Sequence, residues 1–151
     1  FKPLLFDKLI NLYTLNLSQN YLYELNLNLK SINSIFLRMN RFKTIKLNME
    51  SIEEIDLSDN FMLKHLDLRQ VLVKKIRINN NKMLKNILIN TNNLEEVDAR
   101  NLSKEATSKI KLDNLSNLIR IDLSHNHYYY QNNLSFLDFS NFKRLEHLHL
   151  R

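Results

Sequence analysis

Leu12-Tyr13-Thr14-Leu15-Asn16-Leu17-Ser18-Gln19-Asn20 follows the pattern L-x-x-L-x-L-x-x-N, and the reading of this stretch decides the fold. Leu15 and Leu17 stand two apart, so on an extended chain they share one face while Thr14 and Asn16 take the other. Asn20 sits where the chain must leave the strand, and its amide offers both donors and an acceptor to neighbouring backbone. Twenty residues on, Ile32, Ile35, Leu37 and Asn40 repeat the pattern, and after twenty more Ile52, Ile55, Leu57 and Asn60 do so again. Val73, Ile76, Ile78 and Asn81 follow at a spacing of twenty-one. Leu94, Val97 and Ala99 continue it, with Asn101 one place early, and Leu118, Ile121, Leu123 and Asn126 restore it. Leu145, Leu148 and Leu150 begin a seventh copy.

A single copy has one apolar face and nothing to bury it against. Stacked copies share one core, which predicts a solenoid whose stability is a sum over neighbouring turns. A second, weaker motif fills the space between copies: Leu22, Leu25 and Leu27; Phe42, Ile45 and Leu47; Leu63, Leu66 and Leu68; Leu84, Ile87 and Ile89. These halves read as extended segments on the opposite wall.

The pattern resembles the leucine-rich repeat family over essentially the whole chain, in its short, nested form. The resemblance implies an α/β-type solenoid that is mostly β: a horseshoe with a parallel concave sheet and a largely non-helical convex side. Residues 1–151 are expected to form one such domain, with repeats starting near 12, 32, 52, 73, 94, 118 and 145. Residues 1–11 read as the helical back of a preceding repeat, with Leu4, Leu5, Phe6, Leu9 and Ile10 inward. Ser103 to Ile110 is expected to add a turn of helix, and the long sixth repeat carries Tyr128-Tyr129-Tyr130. Neither end shows a cap, so the natural chain is expected to be longer. The segment from Leu118 onward also resembles extracellular insect leucine-rich repeat proteins, among them immune receptors.

The composition fits this reading. The 151 residues are 44% hydrophobic and include no Gly, no Cys, no Trp and one Pro. Without Gly, Asn is expected to supply the left-handed backbone positions of the turns. Without Cys there is neither a disulfide framework nor a thiolate metal site. No apolar run approaches the ~18 residues of a membrane-spanning helix. The net charge of +6 favours acidic partners.

On the concave sheet the outward positions stack into columns ~4.8 Å apart. Successive copies present Tyr13, Thr14 and Asn16; Asn33, Ser34 and Phe36; Glu53, Glu54 and Asp56; Lys74, Lys75 and Arg77; Glu95, Glu96 and Asp98; Ile119, Arg120 and Asp122; Glu146, His147 and His149. Three acids, three bases and three acids on consecutive strands are expected to pair, and the same stripe can dock a polar partner. Phe36, with Tyr13 beside it and Arg38 on the same strand, forms an aromatic and arginine group of the kind that anchors interfaces. The partner-binding set is therefore Tyr13, Phe36, Arg38, Glu54, Asp56, Lys75, Arg77, Glu96 and Asp98. Asn20, Asn40, Asn60, Asn81 and Asn126 form the structural ladder.

Chemistry-bearing constellations are sparse. His147 and His149 share a strand face near Asp122, but the simpler reading is a set of surface residues, so no metal and no cofactor is expected. No nucleophile–base pair and no Gly-rich phosphate loop is present, and no enzyme activity is expected. Sequons occur at Asn16, Asn101, Asn114 and Asn133. Lys43, Lys46, Lys64 and Lys85 make the convex side basic, without the interleaved aromatic residues that stack bases. The expected function is recognition of a protein partner by a secreted or cell-surface receptor-type glycoprotein of innate immunity. The alternative is an intracellular scaffold of the same fold. No nucleic-acid partner is expected, and no oligomeric state follows.

Overall fold

A computed structural model describes Phe6 and residues 8–90, 92–103, 106, 115–126 and 139–151. The described residues wind as a mostly β, parallel solenoid with almost no helix among them. Its strands are β1 (Thr14–Asn16), β2 (Glu24–Asn28), β3 (Ser34–Phe36), β4 (Thr44–Asn48), β5 (Ser51–Asp56), β6 (His65–Arg77), β7 (Asn86–Asn90), β8 (Glu96–Asp98), β9 (Arg120–Asp122) and β10 (His147–His149). A short 3-10 turn, Phe139–Asn141, precedes β10.

One wall is a parallel sheet in the order β1-β3-β5-β6-β8-β9-β10. Its register joins Leu15, Ile35, Ile55, Ile76, Val97, Ile121 and Leu148 across neighbouring strands. All are buried except Leu148 on the last strand. The second wall pairs β2 with β4, and the first half of β6 with β7, so the weaker motif is extended as expected. Leu25, Leu27, Leu66, Leu68 and Ile87 point inward from it and meet Ile35, Ile55 and Ile76 in one continuous core. Each fully buried Leu or Ile contributes about 1.5–3 kcal/mol relative to exposure.

β6 runs unbroken through the corner between the two walls, which was not expected. The other corners carry turn-prone residues, Asn28 to Ser31 and Asn48 to Ser51, whereas Arg69 and Gln70 stand at this one. At this corner Asp67 Oδ1 accepts the Arg69 N–H at 3.2 Å and the pairing with β7 shifts register between Leu68 and Leu72, so the two strands join through an irregularity rather than a separate turn.

The predicted ladder forms the spine of the turns. Asn40 Nδ2 donates to Leu17 O at 2.8 Å and to Leu37 O at 3.1 Å. Asn60 Nδ2 donates to Leu37 O and Leu57 O, and Asn81 Nδ2 to Leu57 O and Ile78 O. Asn126 Nδ2 donates to Ala99 O and Leu123 O. Each amide thus ties the carbonyl three residues back to the equivalent carbonyl one turn earlier. Asn20, on the first described turn, bonds only Leu17 O and Ser18 O of its own turn.

Just ahead of each ladder Asn lies a residue with φ near +60°: Gln19, Met39, Asp59, Asn80 and His125. Asn101 belongs to this column, with φ 52°. It is therefore not an early ladder residue; Leu102 fills the ladder slot of that turn, and its N–H donates to Asn126 Oδ1 at 2.8 Å. Among the described residues two of the six left-handed ones are Asn, so the expectation that Asn replaces Gly holds for part of the column.

The N-terminal expectation needs correction. The described residues before Leu12 make successive turns, Leu9 N to Phe6 O and Leu12 N to Leu9 O. Only Phe6 packs against the core, while Leu9 and Ile10 are exposed. One loose turn after another does not hold an apolar stripe toward the sheet. Leu4 and Leu5 lie outside the described residues, as do most of Ser103–Ile110 and all of Tyr128–Tyr130.

Candidate recognition face

The period-two alternation leaves one set of side chains outside the long sheet, and the parallel register sorts them into columns. Asn16, Phe36, Asp56, Arg77, Asp98, Asp122 and His149 form one column; Thr14, Ser34, Glu54, Lys75, Glu96, Arg120 and His147 form the next.

The charge blocks on β5, β6 and β8 do pair, but partly on the diagonal. Lys74 Nζ meets Glu53 at 2.9 Å, and Lys75 Nζ meets its register partner Glu96 at 3.2 Å. Glu54 lies in register with Lys75, yet it takes Arg77 as its partner. A guanidinium reaches farther and offers more donors than an ammonium, which favours the diagonal contact. The Glu53 carboxylate, with Glu95 contributing at longer range, holds the Lys74 ammonium above its ordinary pKa.

The acids of the Asp56 column have a second task that the sequence reading missed. Asn16 Oδ1, Asp56 Oδ1 and Asp122 Oδ1 each accept a backbone N–H two residues on, from Ser18, Ser58 and Ser124 at 2.9–3.0 Å. Asp98 does the same more loosely with Arg100 N, and its carboxylate also takes the Arg100 guanidinium at 2.6 Å. Asp98, with Asp122 at longer range, raises the Arg100 pKa above its ordinary value. The spacing that signals these side-chain turns is [Asn/Asp]-x-Ser at the strand end.

Beyond the strand ends a further side-chain ladder runs along the left-handed column. Arg38 Nε donates to Asp59 Oδ2 at 2.8 Å, Asn80 Nδ2 to Asp59 Oδ1 at 2.8 Å, and Asn101 Nδ2 to Asn80 Oδ1 at 2.8 Å. Between this ladder and the sheet face lies an open polar groove of about 710 Å³. Arg38, Asp56, Arg77, Asp98, Arg100 and His125 are among its lining residues. A smaller recess of about 230 Å³ adjoins it, lined by Lys75, Glu96 and Arg120 among others. The groove thus gathers Arg38, Asp56, Arg77 and Asp98 of the expected set, and the recess gathers Lys75 and Glu96. Glu54 stays on the sheet as the Arg77 partner. Arg100, Asn80, Asn101 and His125 were not anticipated as groove residues.

Tyr13 and Phe36 stand apart from both. Tyr13 precedes β1 and is exposed, as expected. Phe36 faces outward in register with Asn16 and Asp56 but is half-buried, so it offers less surface than the sequence reading expected. His149 lies in register with Asp122 and His147 with Arg120. Among the described residues no group of three or more His, Asp and Glu is gathered as a cation site. The sequon residue Asn101 is held in the polar ladder; Asn114 and Asn133 lie outside the described residues.

Compared with known proteins, the chain matches no family model, no curated sequence and no solved structure.

Proposed function

We propose that this chain is a stretch of leucine-rich repeat solenoid that recognises a protein partner on the outer, concave face of its long sheet, with no catalytic role. The observation that carries the reading is the polar groove at the strand ends, where Arg38, Arg77 and Arg100 come from three of four consecutive turns, with Asp56 supplied by the turn between Arg38 and Arg77. Each guanidinium has five N–H donors, and the ion pairs engage no more than two of them. A groove of this size and polarity suits carboxylates and backbone carbonyls of a protein surface rather than an apolar small molecule. Tyr13 and the half-buried Phe36 extend the contact toward β1, and the ion-paired stripe of Glu54, Lys75 and Glu96 supplies charge complementarity that sets register. The extracellular, receptor-type setting is proposed on the resemblance alone.

The test is capture from native material with the chain immobilised through its C-terminus, quantified by mass spectrometry. A specific partner should be depleted by Phe36→Ala and by Arg38→Ala, with affinity falling by about 1–4 kcal/mol for an anchoring residue. Lys46→Ala on the opposite wall should leave capture of that partner unchanged. Equal capture by all variants refutes the concave face as the binding surface.

A further inference from the structure

Charge is divided unequally between the two walls. In the first four turns the long-sheet segments (12–20, 32–40, 52–60, 72–81) carry four Lys/Arg and four Asp/Glu, and so are neutral. The segments of the opposite wall (21–31, 41–51, 61–71, 82–93) carry eight Lys/Arg against three Asp/Glu. Almost all of the net charge of +6 is therefore displayed on one side.

The bases on that side are ordered by the backbone. Lys43 N donates to Tyr23 O and Lys85 N to Lys64 O, so Tyr23 with Lys43, and Lys64 with Lys85, occupy equivalent places on adjacent turns just ahead of their strands. All three lysines are exposed, as are Lys46 and Lys82. One of the three acids, Asp67, is already held by Arg69 at 2.7 Å.

Large side chains with apolar surface interrupt this basic field and are exposed. Tyr21 is 73% exposed and Phe61 54%, each directly after a ladder Asn; Met83 follows the next such turn, and Leu88 projects from β7. Arg41 stacks over Tyr21 at 4.6 Å and Lys43 lies over Tyr23 at 5.9 Å. Interleaved aromatic residues are thus present on this side after all, at its N-terminal end.

We propose that this wall docks on an anionic phospholipid bilayer. Lysines near a negative leaflet are attracted by its surface potential, and long stems let the ammonium reach headgroups while the body stays on the protein. Phe61, Met83 and Leu88 enter the headgroup–acyl boundary, and the cation-bearing tyrosines rest at the polar level that tyrosine favours. A nucleic acid explains the lysines less well. Base stacking needs rings distributed along the cationic track, and Met83 and Leu88 supply none. The wall is separate from the long-sheet face, so a bound membrane leaves the proposed protein site open.

The experiment is co-sedimentation of the whole chain with vesicles of phosphatidylcholine alone or mixed with phosphatidylserine. The chain should partition onto mixed vesicles at low salt, be released at high salt, and ignore neutral vesicles. Each lysine near the surface is worth roughly a fivefold change, so Lys43→Gln/Lys64→Gln/Lys85→Gln should lose about 100-fold in partitioning. Phe61→Ser/Leu88→Ser should weaken it at unchanged salt dependence. Circular dichroism checks that each variant keeps the wild-type spectrum; should the triple variant fail that check, Lys46→Gln/Lys82→Gln on the same wall replaces it. Equal binding to neutral vesicles, no effect of the lysine substitutions, or binding to a single-stranded oligonucleotide without binding to anionic vesicles overturns the proposal.

Discussion

Asn81→Ala should destabilise the protein more than Asn60→Ala, although both residues are fully buried members of the same ladder. The difference follows from which groups each substitution strands. Leu37 O and Leu57 O each accept from two ladder amides, so removing Asn60 leaves each carbonyl one donor, from Asn40 and Asn81 respectively. Asn60 Oδ1 is itself buried without a partner, and deleting it removes that cost. Asn81 is different. Its Oδ1 accepts the buried Asn60 N–H at 2.9 Å, and its Nδ2 donates to Ile78 O at 2.7 Å, a carbonyl that the Leu102 slot cannot serve. Losing Asn81 strands both groups. A stranded buried group costs about 1–3 kcal/mol and an ordinary hydrogen bond about 1 kcal/mol. Asn81→Ala is therefore expected to cost about 3 kcal/mol or more, and Asn60→Ala about 1 kcal/mol. Urea unfolding reads this as a shift in midpoint at constant slope. Asn26→Ala, on an exposed strand position, is the control and should be near neutral. Equal losses for Asn60 and Asn81, or a larger loss for Asn60, would refute the bookkeeping of shared carbonyls.

Two further outcomes are expected. Lys75→Glu breaks the pair with Glu96 and sets like charge between Glu96 and Glu54; it should lower stability at low salt and less at high salt, and a salt-independent loss would show that the columns are not electrostatically coupled. The Arg69 side chain, then its backbone N–H, hold the Asp67 carboxyl below its ordinary value of 3.8. Because the folded-state value is depressed, the stabilisation is present above pH ~4 and is lost as pH falls through the folded value; NMR titration should show Asp67 moving back toward 3.8 in Arg69→Ala.

The parts of the fold that were legible in the chain are those where one residue type has one physical job. Leu15, Ile35, Ile55, Ile76 and Ile121 recur because each must be apolar and inward, and that requirement is visible as a period of two. The ladder was legible for the same reason, since Asn alone brings two donors and an acceptor on a short stem. The left-handed column was not, because Gln19, Met39, Asp59 and His125 tolerate φ near +60° without any shared side-chain chemistry. The continuous β6 was hidden because the register shift between Leu68 and Leu72 that carries it through the corner has no residue pattern of its own. At the candidate face, membership in columns could be read from spacing, but the choice of Arg77 over Lys75 by Glu54 depends on side-chain reach. The groove itself depends on the left-handed column and so was invisible with it. Leu9 and Ile10 misled because apolar residues near a chain's first turns look like core until the turn geometry is known.

Leu102 has a consequence for how the molecule comes apart. At every other junction from Asn20 to Asn81 a carbonyl is shared by two amides, so a turn cannot open without loosening its neighbour. At Leu102 the relay stops: Ile78 O is served only from its own side and Ala99 O only from the Asn126 side. The backbone pairing of β8 with its neighbours and the Asn101–Asn80 side-chain bond continue across this point, but the shared-carbonyl relay does not. A chain of coupled units with one weakened link melts in two blocks rather than one. This link falls between the regular short turns and the longer ones, so the described turns beyond it are tied to the β1–β6 stretch that holds Phe36 and Arg38 through strand pairing, the Lys75–Glu96 pair and the Asn80–Asn101 bond rather than through shared carbonyls.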